Sequence, residues 1–127
     1  MAAGERFQTL RRELGVEGFG INLLRLEPGQ RGRIHRHEHQ EEVYVVLAGE
    51  LTLVVEGVEH AVGEDEVVRV PAELRRQLVN RGPAPLRLLA LGGSGEHVGR
   101  DGQAYKGWDQ PPEDGLPPQE VPLPGDL

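Results

Sequence analysis

The stretch Gly29-Gln30-Arg31-Gly32-Arg33-Ile34-His35-Arg36-His37-Glu38-His39-Gln40-Glu41-Glu42-Val43-Tyr44-Val45-Val46-Leu47-Ala48-Gly49 organises this chain. A glycine-rich turn comes first, then two histidines two positions apart, then Glu42 at the head of an apolar run that stops at Gly49. Three of the five histidines lie between His35 and His39. Residues two apart on an extended strand face the same side, roughly 6.5–7 Å from one another. His35 and His37 therefore aim two imidazoles at one point, and Glu42 on the next extended run brings a carboxylate to it. Two neutral imidazoles and a carboxylate suit Zn or Fe(II), with positions left over for water or substrate. The competing reading is a solvated charged turn, because Arg33, Arg36, Glu38, Gln40 and Glu41 all have surface character.

The spacing Gly29-x5-His35-x-His37-x4-Glu42-x6-Gly49 resembles the first signature motif of the cupin family at every defining position. A second motif follows in weaker form. Pro71 and Asn80 match it, whereas Arg76 stands where the family places its last metal-binding histidine, and Asp65 and Glu73 replace its glycines. The resemblance covers about Leu23–Leu91. It implies an all-β, double-stranded β-helix or jelly-roll barrel, with His35, His37 and Glu42 as ligands to a divalent transition metal (Zn, Mn, Ni or Fe). It also implies that Arg76 points into the barrel. A guanidinium cannot ligate a metal and stays protonated. At about 6 Å from a dication and an effective dielectric constant of about 20 it opposes binding by on the order of 5 kcal/mol. Arg76 then turns away, pairs with Glu42, or holds an anionic ligand, and a strand bulge would bring Arg75 inward instead. Tyr44 shares the face of Glu42, so its hydroxyl lines the pocket as a second ligand-binding group or finds a partner at the rim of the core.

The rest of the chain supports one β domain. The 127 residues suffice for a modest core. A charged fraction of 28% and a hydrophobic fraction of 37% fit a globular chain. Without cysteine there is neither a disulfide framework nor thiolate ligation. No apolar run approaches the roughly 20 residues of a membrane span and no signal peptide opens the chain, so the expectation is a cytoplasmic protein. The net charge of −7 argues against nucleic acid as a partner. Short apolar runs from Phe19 to Leu91, separated by Gly and Pro, predict a sandwich or barrel of strands. Ahead of them, Phe7, Leu10 and Leu14 recur at helical spacing and predict a short amphipathic helix that Gly15 ends. Residues 1–97 are expected to form the barrel with this helix, Gly92–Gly95 to be a flexible link, and 98–127 an extended tail. From Arg100 onward the chain holds six of the ten prolines and six acids against two bases, so no regular structure is expected there. Trp108 anchors this tail on the barrel or on a neighbouring subunit. His39, His60 and His97 are expected at the surface. Val43, Val45 and Leu47 face away from the pocket, and an apolar patch of this kind predicts a homodimer.

Three functions fit these residues. One is a cupin that binds metal through His35, His37 and Glu42 and orients a small anionic substrate with Arg76. Another is a metal-free barrel that senses a small anion. The third is a dimeric scaffold whose tail is the working part.

Overall fold

The structure, a computed structural model, describes residues 6–93 and 101–127. Among these residues, ten strands build two five-stranded sheets. In chain order they are β1 (Phe7–Thr9), β2 (Gly20–Leu26), β3 (Ile34–His37), β4 (Glu41–Ala48), β5 (Leu51–Val55), β6 (Val58–Val62), β7 (Val67–Val70), β8 (Arg76–Val79), β9 (Leu86–Gly93) and β10 (Gly102–Tyr105). The first sheet runs β1-β2-β9-β4-β7 and the second β10-β3-β8-β5-β6, with every pairing antiparallel. This is the double-stranded β-helix expected from the sequence. No helix among the described residues is long and apolar enough to cross a membrane.

The turns follow from local chemistry. Pro28 and Gly29 form the centre of a turn closed by the Gln30 amide on the Glu27 carbonyl, with Gly29 at φ +86° as type II geometry requires. Glu56 and Gly57, both at positive φ, make a two-residue turn between β5 and β6, the mirror-image type that matches strand twist. At Gly49, φ is +82° and a Cβ would lie 2.5 Å from the Pro85 carbonyl oxygen, so the end of β4 admits only glycine. Asn80 is wholly buried. Its side-chain amide donates to the Leu26 and Ala84 carbonyls and its oxygen accepts from the Gly82 amide, which ties the β8–β9 connection to the end of β2.

Leu26, Tyr44, Val46, Leu53, Leu86 and Leu88 meet between the sheets in the main core. The outer face of the first sheet is also apolar. Ile21, Leu91 and Val43 lie side by side across β2, β9 and β4, as do Leu23, Leu89 and Val45, with Val67 extending the second row onto β7. These residues are half-buried, Leu47 beyond them is exposed, and so is Val67.

Two expectations are corrected. The short N-terminal helix is present and ends at Gly15 as expected, but it is the single turn α1 (Arg11–Leu14), and Phe7–Thr9 ahead of it is a strand paired with Asn22–Leu24. The predicted helical face buries nothing, and Phe7 and Leu14 are exposed. The C-terminal segment is likewise not devoid of regular structure. Gly102–Tyr105 joins the second sheet beside β3, and two 3-10 turns follow at Pro112–Asp114 and Pro118–Glu120. Arg31 and Arg33 donate to the Gly125 and Val121 carbonyls and hold the rest of the segment on the barrel. Arg75, paired with Glu56, donates to the Gln110 carbonyl and lies over the rings of Tyr105 and Trp108. Gly92 and Gly93, expected in a flexible link, end β9, and the remainder of that link and His97 lie outside the described residues.

Candidate metal centre

Strand alternation turns His35 and His37 of β3 toward the barrel interior, while Ile34 and Arg36 face outward. Glu42 comes from β4 in the opposite sheet, so the two sheets meet at this group. The ligand atoms of His35, His37 and Glu42 all lie within 4.8 Å of one another. Each imidazole presents its Nε2 atom to Glu42 Oε1, at 3.2 Å in both cases. The two rings stand edge to face with centroids 5.3 Å apart.

The other ring nitrogens fix the imidazoles. His35 Nδ1 lies 3.2 Å from the Arg33 carbonyl oxygen, and His37 Nδ1 lies 2.8 Å from Asp101 Oδ1. Both partners are acceptors, which holds protons on the Nδ1 atoms and leaves the Nε2 atoms turned inward, where a metal would take them in place of their contact with Glu42. His37 Nε2 is buried, and its contact with Glu42 is off the line of a hydrogen bond, which leaves this nitrogen without a directional partner. An orphaned imidazole nitrogen beside a second imidazole and a carboxylate is a donor set that fits a transition metal.

Arg76 points inward and is completely buried. It sits opposite His35 in the β3–β8 pair. Its terminal nitrogens donate to the carbonyls of Val70, Pro71 and Ala72, and Nε lies 3.6 Å from Glu42 Oε1. Tyr44, also buried, donates its hydroxyl to the same carboxylate oxygen at 2.7 Å. One oxygen of Glu42 is thus faced by two imidazoles, a phenol and a guanidinium. Arg75 is not the inward arginine.

These contacts set the protonation states. Burial alone would raise the Glu42 carboxyl, but the hydrogen bond from His35, the close contact with His37 and the charge of both outweigh it and hold the group well below the usual range. Burial alone would lower His37. The contact with Glu42, its charge and the hydrogen bond to Asp101 overcome that and raise it above 6.5. Burial and the neighbouring carboxylate push the Tyr44 phenol well up, so it remains a neutral donor.

His39 and His60 are exposed, as expected. Gln40, expected at the surface, is buried, and its side-chain amide donates to Asp101. Asp101, hydrogen-bonded to His37, is the residue beside this group that the sequence does not single out. It lies far along the chain from His37, and no local spacing pattern connects them.

Two histidines from one sheet and a glutamate from the facing sheet, inside a double-stranded β-helix, define a small barrel with a group positioned for metal binding. The chain belongs to the cupin domain family, whose model matches residues 22–92. Among solved structures, a sugar phosphate isomerase of the cupin superfamily from Silicibacter pomeroyi DSS-3 is 33% identical with a TM-score of 0.67, over 78% of this chain and 62% of that one. A Cupin 2 conserved barrel domain protein from Salinispora arenicola CNS-205 is 26% identical with a TM-score of 0.64, over 70% of this chain and 75% of that one. A mannose-1-phosphate guanylyltransferase from Klebsiella pneumoniae is 30% identical over 83 residues, 65% of this chain. Another, from Salmonella typhimurium, is 29% identical over 99 residues. This chain spans only 17% and 18% of the lengths of those two relatives.

Proposed function

We propose that this protein binds a single divalent transition metal through His35 Nε2, His37 Nε2 and a Glu42 carboxylate oxygen, and takes a small anionic ligand beside it. The convergence of those three atoms, with both Nδ1 atoms already held by acceptors, carries the reading. When bound, the metal supplies Lewis acidity at the positions that three protein ligands leave open. Arg76 holds Glu42 ionised from behind, and its buried Nε faces the site. Tyr44 donates to the same carboxylate and fixes which oxygen faces the imidazoles. Arg76 and Tyr44, both buried, thereby act on a ligand through Glu42.

The likeness to a sugar phosphate isomerase favours a phosphorylated sugar as the ligand class. The metal-free sensing alternative has less support, because the Arg76 terminal nitrogens are engaged by three carbonyls and Glu42 occupies the space between Arg76 and the histidines. A homodimer formed through the apolar outer face of the first sheet and a cytoplasmic location belong to the same proposal, and cell fractionation tests the location.

Calorimetry with Zn(II), Mn(II), Ni(II) and Fe(II), paired with metal analysis of protein purified without chelator, tests the site. One equivalent should bind to the wild type and none to Glu42→Ala. Equal binding by both proteins would move the metal elsewhere, and no binding by either would end the metal reading.

A further inference from the structure

Asp101 belongs to the segment that the sequence marks as a tail, yet its side chain is only 4% exposed and accepts four hydrogen bonds. Its Oδ1 takes His37 Nδ1 and Gln40 Nε2, both at 2.8 Å. Its Oδ2 takes the backbone amides of His39 and Gln40, both at 2.9 Å. One carboxylate therefore ties a histidine of the site to the loop that leads from β3 to Glu42. Its own carbonyl accepts the Glu38 amide at 3.1 Å, and β10 continues the pairing immediately afterwards. In that pairing Gly102 stands opposite His37 and Ala104 opposite His35. The two smallest side chains thus flank the two imidazoles from the neighbouring strand, and Ala104 is fully buried.

We propose that Asp101 and β10 are a working part of the metal centre, so that metal binding and docking of residues 101–127 strengthen each other. The inference rests on the metal reading above. Asp101 acts as a positioning residue. It holds the His37 ring in the orientation that points Nε2 inward, and it fixes the length and path of the loop between the two ligand-bearing strands. A ring free to rotate would have to be ordered by the metal itself, which weakens binding. Carboxylate partners of ligating histidines are worth on the order of 10–100-fold in metal affinity. Coupling of binding free energies is reciprocal, so the metal must in turn hold the segment more firmly.

The test uses full-length protein, with Zn(II) for affinity and Co(II) as a spectroscopic probe. Asp101→Ala should bind Zn(II) 10–100-fold more weakly, and its Co(II) absorption should differ from that of the wild type because the His37 geometry has changed. In the wild type, Zn(II) should slow amide exchange in residues 102–105 as well as in 38–40. If Asp101→Ala is folded and matches the wild type in Zn(II) affinity and Co(II) spectrum, Asp101 is only a loop clamp and the inference fails. Should that variant not fold, the exchange measurement on the wild type decides: unchanged exchange in 102–105 overturns the coupling. A wild type that binds neither ion defeats the metal reading itself, whereas normal wild-type binding with an unchanged variant defeats this inference alone.

Discussion

A buried guanidinium 3.6 Å from the Glu42 carboxylate would set how tightly the proposed metal site binds. Arg76 stabilises ionised Glu42, yet its charge opposes a dication at the same place. Arg76→His removes the charge and adds a fourth nitrogen, so metal affinity should rise at least tenfold, or about 1.4 kcal/mol. The same change strips the Val70, Pro71 and Ala72 carbonyls of their donor, so the metal-free protein should lose about 2 kcal/mol of stability. Calorimetry and urea unfolding check the two effects separately, and an unchanged affinity would mean that the new imidazole does not reach the site. His37 sets the pH response. Its raised pKa means that, without metal, a proton occupies the site at pH values above 6.5. Stability from that proton is fully present below 6.5 and is lost as pH rises through the raised value, where metal replaces it. Glu42 acts in the opposite sense, contributing stability above 4.5 that is lost as pH falls through its lowered value. Zn(II) affinity should therefore begin to fall above pH 6.5 on acidification, and titrations between pH 6 and 8 would show a flat profile if neither imidazole is a ligand. The grouping of His35, His37 and Glu42 is legible in the sequence because strand alternation and one short loop bring them together. Asp101 is not, because only the pairing of β10 with β3 delivers it.

At the scale of elements, glycine and proline placed the turns correctly, and hydrophobic period alone misjudged the chain's beginning. Phe7, Leu10 and Leu14 fit a helical period, but the edge of β2 offered backbone partners: Phe7 pairs with Leu24, and the Leu10 amide donates to the Ile21 carbonyl. A helix of this length has little stability of its own, so tertiary pairing prevailed. The C-terminal segment was misread through its composition. Its prolines begin at position 111, and the run 101–110, free of them, keeps the donors that a strand needs. Gly49 is the element-scale counterpart of Arg76, a motif residue explained by geometry alone. Gly49→Ala forces a Cβ against the Pro85 carbonyl at positive φ and should cost about 3 kcal/mol, with the metal triad itself untouched. Urea unfolding measures it, and a loss below 1 kcal/mol would show that the Pro85 loop yields easily.

For the whole molecule, the two sheets differ in what lies outside them. On the second sheet, Ile34, Val54, Gln77 and Val79 face outward and are nevertheless buried, and the C-terminal segment runs over this side. Among the described residues, no comparable segment runs over the first sheet's rows of Ile21, Leu91 and Val43 and of Leu23, Leu89 and Val45. A contiguous apolar face of that kind suits a second copy of the chain. Sedimentation at micromolar concentration should give a dimer for the wild type and a monomer for Val45→Glu, whose change leaves the inner face intact. A monomeric wild type would remove the dimer from the proposal. The strand order carries one more consequence, for the order of events during synthesis. The histidine-bearing strand β3 leaves the ribosome early, but its two neighbours, β8 and β10, are made much later. At roughly 5–20 residues per second, several seconds pass before the second neighbour is available. Throughout that time the nascent chain carries two histidines on a strand with open hydrogen-bonding edges. An ion captured then would meet imidazoles not yet oriented by Asp101, so a metal bound as proposed would settle in its final geometry only after β10 has paired.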